Sequence, residues 1–206
     1  MNTLKRAPRE LSPEKTEAIL DGAMQEFLTH GYAATSMDRV AAAAGVSKAT
    51  VYNHFQGKED LFKALIRRLA QRKELFAQEA LQSSSGDPVV SLKRYAHSMM
   101  ANLGADPQVL TFIRIVIGES GRFPELARTF VEYVERPTLK RLTTYLAEHP
   151  DLDLPDPEVA ARTFTGAMVH FIIMRDILHG GDIVPMEFDR LLDNLLPLML
   201  KVRAQR

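Results

Sequence analysis

The chain is predicted to be all-α, an N-terminal three-helix helix-turn-helix domain followed by a larger helical domain. Three observations predict this. No segment alternates apolar and polar residues between the Gly, Asn or Asp signals of a β-hairpin. Apolar residues recur instead at spacings of three and four along the chain, the period of an amphipathic helix. The stretch 35–55, TSMDRVAAAAGVSKATVYNHF, reads as two short helices joined by a glycine turn.

Taken in order, Ser12-Pro13-Glu14 opens the first helix with an N-cap, a proline at N1 and an early acid. Ile19, Ala23 and Phe27 form its apolar stripe before Gly31. Thr35-Ser36-Met37-Asp38 has the form of a capping box, with the Thr35 hydroxyl capping the second helix and Asp38 reaching back. Met37, Val40, Ala41 and Ala44 keep helical spacing, and Gly45 suits the left-handed position that ends a helix. The alanines at 41–44 let the next helix pack closely. Ser47 caps that third helix, in which Val51 and Phe55 share a face. A long helix over 58–81 carries Leu61, Phe62, Leu65, Ile66 and Leu69, and 83–88 (SSSGDP) is a loop. Further helices are predicted over 89–103, 107–120, 124–148, 157–179 and 186–203. Pro137 and Pro197 fall inside two of them and are expected to kink or divide them. The domains so drawn are 1–57, of which 1–10 is a disordered tail, and 58–206.

The third helix is the candidate reader of DNA. With Val51 and Phe55 turned inward, Lys48, Ala49, Thr50, Tyr52 and Asn53 face outward or toward the N-terminal end. In a helix-turn-helix that end enters the major groove. Ala49 and Thr50 are small enough to approach base edges, and Thr and Asn supply hydrogen bonds. Lys48, Tyr52, His54 and Lys58 are suited to phosphates, and the cap residues Thr35, Ser36 and Ser47 complete the candidate surface. The chain has 26 Lys and Arg against 26 Asp and Glu, so a global basic footprint is absent. Locally, no acid lies between Asp38 and Glu59, while Arg39, Lys48 and Lys58 are positive, and the tail adds Lys5, Arg6 and Arg9. A small positive face is enough, because counterion release depends on the phosphates neutralised. The plainer reading is a solvated surface on a helical bundle; the cap, glycine turn and apolar spacing together favour DNA.

Residues 12–66 resemble the DNA-binding domain of the TetR/AcrR family of bacterial transcriptional regulators. AMQEFLTHGYAATSMDRVA, AGVSKATVYNHF and GKEDLFKAL carry the likeness. The chain departs from the family pattern at Asn53, where an aromatic is common, and at Gly57, a weaker cap than serine. The C-terminal part resembles the branch with an AefR-type regulatory domain, through RIVIGESGRFPELARTFVEYV and DPEVAARTFTGAMVHFIIMRDILHG. That likeness implies an effector-binding and dimerisation domain, and a regulator, more often a repressor, that binds a palindromic operator and is released by a small molecule. Within DNA binding, the alternative is control by a protein partner without a small effector.

Two stripes bear on dimerisation without the family. Ala160, Phe164, Ala167, Phe171, Met174 and Leu178 alternate by four and three, as do Phe188, Leu191, Leu195, Leu198 and Val202. Such spacing suits a four-helix bundle built from the last two helices of each of two subunits. Burial inside one subunit is the other fate open to each stripe. Tyr95, Met99, Phe112, Met168 and Phe171 suit an adaptable apolar pocket, with Arg114 and His170 as groups that orient a ligand. Each fits core packing as well; His97, His170 and Arg114 are read first as structural residues.

Enzyme chemistry has little support. Gly45-Val46-Ser47-Lys48-Ala49 lacks the last glycine of a nucleophile elbow and follows a helix instead of a strand. The histidines have no metal-ligand spacing, and no phosphate loop or dinucleotide fingerprint occurs. No cysteine is present for disulfide, metal or redox chemistry. No catalytic residue, metal or cofactor is therefore assigned. The polar N-terminus has no export signal and no apolar run reaches the ~18–20 residues of a membrane span, so a cytoplasmic protein is expected. A helical ligand-binding protein or enzyme without operator binding is the alternative from another class.

Overall fold

The computed structural model describes residues 12–82, 87–149 and 152–200. Lys5, Arg6, Arg9, the loop at 83–86 and Val202 lie outside them. Helix α1 (Pro13–Ala34) starts at Pro13, with Ser12 in extended conformation, and buries Ile19, Leu20, Ala23 and Phe27. Gly31 leaves the helical path at φ +72°, and Tyr32 beyond it is buried. Helices α2 (Met37–Ala43) and α3 (Lys48–His54) follow.

The turn between them is built as the residue types require. Gly45 has φ +64°, its N–H donates to Ala42 O (3.2 Å) and the Val46 N–H to Ala41 O (3.1 Å). This paired termination satisfies carbonyls that the end of α2 would otherwise leave open. The capping box is corrected by one residue. Ser36, not Thr35, is the N-cap of α2 and accepts from the Arg39 N–H. Thr35 is 3% exposed and donates to Gly31 O (2.8 Å), tying down the break in α1. Asp38 does not reach back; it pairs with Lys48 of α3 at 2.7 Å. Close packing also comes from a glycine on the opposing helix. A Cβ on Gly22 would lie 2.7 Å from Ala44 N.

Helix α4 (Lys58–Gln82) runs through both halves of the molecule. Its first part, Leu61 to Leu69, closes one core with α1–α3, with α6 (Pro107–Glu119) and with α7 (Pro124–Phe130). Its second part, Ala77 to Leu81, enters another core with α5 (Pro88–Met99), α8 (Arg136–Ala147), α9 (Pro157–Ile172) and α10 (Phe188–Met199). The packing of the first three helices thus continues past residue 57 to Leu69. Asp87, Asp106 and Asp156 cap α5, α6 and α9, each followed by a proline at the first helical position.

Three π turns interrupt these helices: Met100–Gly104 after α5, Val131–Glu135 between α7 and α8, and Ile173–Ile177 after α9. The second explains why Pro137 does not divide the run from Pro124 to Ala147. Proline lacks an N–H and its ring crowds the carbonyl four residues back; the wider turn just before it makes room. Pro197 sits in the last turn of α10, which ends at Met199 and is shorter than expected at its start. No described helix is long and apolar enough to cross a membrane.

Candidate nucleic-acid interface and the cavity behind it

The helix-turn-helix presents one continuous polar surface. Ser36 before α2, Arg39 on it, Ser47 before α3, and Lys48, Ala49, Tyr52 and Asn53 on α3 are all exposed, with Thr50 half-buried among them. Val51 is fully buried and Phe55 nearly so, which fixes the rotation of α3. Ser47 Oγ accepts from the Thr50 N–H (3.1 Å), and the two hydroxyls are 2.8 Å apart, so cap and candidate base contact form one unit. Tyr52 is 48% exposed, and the Lys48 ammonium lies 6.0 Å from the centre of its ring. The hydrogen bond with Asp38 holds the Lys48 pKa above its ordinary value. Lys48 is therefore already paired, and Asp38 would compete with any anion for it.

Two of the proposed phosphate residues are turned toward the protein. Lys58 donates to Tyr32 O (3.0 Å) and Ala33 O (2.8 Å), with its ammonium 4.8 Å from the Tyr32 ring centre. It closes the C-terminal end of α1, where a cation meets the negative end of the helix dipole. His54 Nδ1 lies 3.0 Å from Thr16 Oγ1, joining α3 to α1. Thr35 is buried, as described above.

The residues expected to line an effector pocket do not gather in one place. Phe112 is fully buried and stacks on Phe62 at 4.6 Å in the first core, while Tyr95 and Met168 fill the second. Arg114 Nη2 donates to Asp176 O (2.5 Å) and its Nε to Ile177 O (3.4 Å), so it caps the end of the helical run containing α9. His170 and Phe171 line a cavity of about 310 Å³ between α9, the 181–186 segment and α10. Of the seven, Met99 alone lines a second cavity, of about 270 Å³, enclosed by α4, α5, α6, α7 and α9.

That second cavity has the features of a ligand chamber. Its wall is almost wholly aliphatic, and all three π turns contribute to it; such turns are frequent at functional sites. The exposed residues Ile117, Val131 and Val169 form its mouth. Its polar groups are Lys73, Glu135 and Thr165. Lys73 Nζ is 3.7 Å from Glu135 Oε1, and burial lowers the Lys73 pKa more than Glu135 raises it. These residues went unnoticed in the sequence, although Lys73 stands four residues after Leu69 and eight after Leu65, a charge on an apolar stripe.

Helix α6 is the wall common to this cavity and the helix-turn-helix core. Ile113, Val116 and Ile117 face the cavity, while Val109, Phe112 and Val116 belong to the first core. From Phe112 an aromatic cluster continues through Phe62 to Phe27 and Tyr32, with centroid distances of 4.6, 5.2 and 5.2 Å. Among the described residues no group of three or more His, Cys, Asp or Glu is placed to hold a metal ion.

Comparison with known proteins agrees with this architecture. Residues 19–65 match the model for bacterial regulatory proteins of the tetR family, and residues 91–201 the C-terminal domain of AefR-like transcriptional repressors. The transcriptional regulator YvkB of Bacillus subtilis is 26% identical over 188 residues, covering 89% of this chain and 94% of YvkB. YhgD, from the same organism, is 38% identical over 74 residues, 36% of this chain and 39% of YhgD. The structure of the flavonoid-responsive regulator FrrA superposes with a TM-score of 0.74 at 29% identity, covering 94% of this chain and all of that one. Helix-turn-helix, shared core and helical C-terminal domain place the chain in the TetR family of transcriptional regulators, with an AefR-like C-terminal domain, and not among enzymes.

Proposed function

We propose that the chain is a ligand-responsive repressor that binds a palindromic operator as a homodimer and is released from it by a small hydrophobic effector. The observation that carries this reading is the position of α6, one face in the aliphatic cavity and the other in the core that holds the DNA-reading helix. A ligand that wedges against Ile113 and Val116 acts on a helix whose Phe112 is stacked on Phe62 of α4. Interiors are close-packed, so α6 is displaced as a unit. The effector must bind the DNA-incompetent arrangement better, with a coupling of about 1–3 kcal/mol.

Ser47, Lys48, Ala49, Thr50, Tyr52 and Asn53 form the DNA face, with Ser36 and Arg39 beside them on phosphates. The homodimer reading is supported by apolar side chains left uncovered on α10 and on the segment 178–187 that leads into it, whereas Ala160, Phe164 and Phe171 of the α9 stripe are buried within the chain. Leu178, Ile183, Val184, Met186 and Leu198 are exposed, and Phe188, Leu191 and Leu195 are half-buried. The repressor assignment follows the likeness of the C-terminal domain to that of AefR-like transcriptional repressors, and the flavonoid-responsive relative supports a small-molecule trigger.

The test fills the cavity. Val169→Trp, at the mouth, is expected to leave operator affinity unchanged while abolishing release by hydrophobic compounds, measured by fluorescence anisotropy of a labelled operator. Undiminished release in that variant refutes the assignment of this cavity.

A further inference from the structure

The polar groups of the aliphatic cavity set the chemical class of its ligand. Thr165 sits on α9 with 7% of its surface exposed, and its Oγ1 is buried with no hydrogen-bond partner. This is unusual for a threonine in this chain. Thr29, Thr111, Thr129, Thr138 and Thr163 each donate to the carbonyl four residues earlier, at 2.7–2.8 Å. A buried hydroxyl without a partner is costly, and in native structures such groups call for an explanation. A ligand that completes it supplies one.

The second polar feature is the Lys73–Glu135 pair. It brings one positive and one negative group to the wall, and the 3.7 Å separation leaves ammonium donors and carboxylate lone pairs free. A carboxylate ligand would compete with Glu135, whose side chain is 28% exposed, for Lys73, which is 12% exposed, and would bring a second anion to a largely aliphatic wall; an amine would compete with Lys73 in the same way. Opening a pair that is partly withdrawn from water costs more than opening one at the surface. A molecule without polar groups leaves Thr165 unsatisfied. A hydroxyl both donates and accepts, and adds no charge.

We propose that the effector is an uncharged, largely apolar molecule carrying a hydroxyl group, a phenol in the simplest case, whose hydroxyl bonds to Thr165 or to the Lys73–Glu135 pair. The proposal rests on the reading of this cavity as the effector chamber. A volume of about 270 Å³ suits a compact molecule of one or two rings. A phenol with a pKa near that of tyrosine, ~10, enters neutral at pH 7.

The experiment is calorimetric titration of the full chain with three matched probes: para-phenylphenol, biphenyl and biphenyl carboxylate. The phenol is expected to bind roughly ten-fold more tightly than biphenyl, and the carboxylate least tightly. Thr165→Val and Lys73→Met are titrated alongside; in at least one of them the phenol should lose its advantage over biphenyl, both being measured in the same variant. A phenol advantage that survives both variants overturns the proposal, as does failure of all three probes to bind. Preference for the carboxylate also overturns it, and if that probe releases the operator the regulatory reading stands. A phenol that binds as described but leaves operator affinity unchanged supports the ligand class and refutes the regulatory reading.

Discussion

Replacing Gly22 by alanine tests the closest approach in the helix-turn-helix. A Cβ built there lies 2.7 Å from Ala44 N and 3.0 Å from both Cα and Cβ of Ala44. Carbon contacts are comfortable at about 3.5–4.0 Å, so the overlap approaches an ångström. The opposing atoms are backbone at the end of α2, which no rotamer change relieves. Overpacking of this kind costs about 1–3 kcal/mol, and the higher helix propensity of alanine returns up to about 1 kcal/mol. The net expectation is a loss of about 1–2 kcal/mol, with weaker operator binding because the Gly45 turn aims α3. Urea denaturation followed by circular dichroism measures the first; anisotropy on a labelled duplex measures the second. Gly118→Ala is the control: nothing lies within 4 Å of its added Cβ, at an exposed site in α6. It should gain up to about 1 kcal/mol. If Gly22→Ala is as stable as the parent, the packing of α1 against the end of α2 is not as described.

Further expectations follow from single groups. Asp38→Asn frees Lys48, so affinity for any duplex should rise and its salt dependence steepen, while stability moves by less than about 0.5 kcal/mol because the pair is exposed. Thr165→Val removes a buried hydroxyl without a partner and should raise stability by about 1 kcal/mol in thermal unfolding; a loss of that size would mean the hydroxyl is satisfied. The lowered Lys73 pKa means the unfolded chain binds more protons between the folded value and 10.5. Wild-type stability relative to Lys73→Met should therefore rise with pH through that window, and a flat difference would contradict the burial. Leu198→Glu, at a site 78% exposed, should shift the sedimentation coefficient toward the monomer without loss of helicity; an unshifted boundary would count against the bundle of α9 and α10.

The all-α class and most helix starts were legible because they depend on local rules. Pro13, Gly45 and Ser47 act through their own dihedrals and caps, and each stands where its type requires. Thr35 and Ser36 are adjacent hydroxyls that serve a cap equally well by pattern. The break at Gly31 decided between them by bringing a carbonyl within reach of Thr35. Lys58 and His54 have the chemistry of phosphate contacts, but their partners, the carbonyls of Tyr32 and Ala33 and the hydroxyl of Thr16, lie 25 to 38 residues away in sequence. The cavity was least legible, since it is enclosed by residues from five helices and by π turns that no local rule announces. Methionines and aromatics were a poor guide to it; Phe112 and Met168 fill cores, and the cavity wall is mostly Val, Leu and Ile.

Selection of bound duplexes from a random pool by the full chain, read across a salt series, tests the central claim most directly. The account predicts one enriched pseudo-palindrome, with half-sites about 34–36 Å apart or a multiple of that distance. It also predicts that Thr50→Ala relaxes preference at matched positions of both half-sites, by about 1–3 kcal/mol in discrimination. Equal, salt-insensitive affinity for selected and unselected duplexes would contradict it.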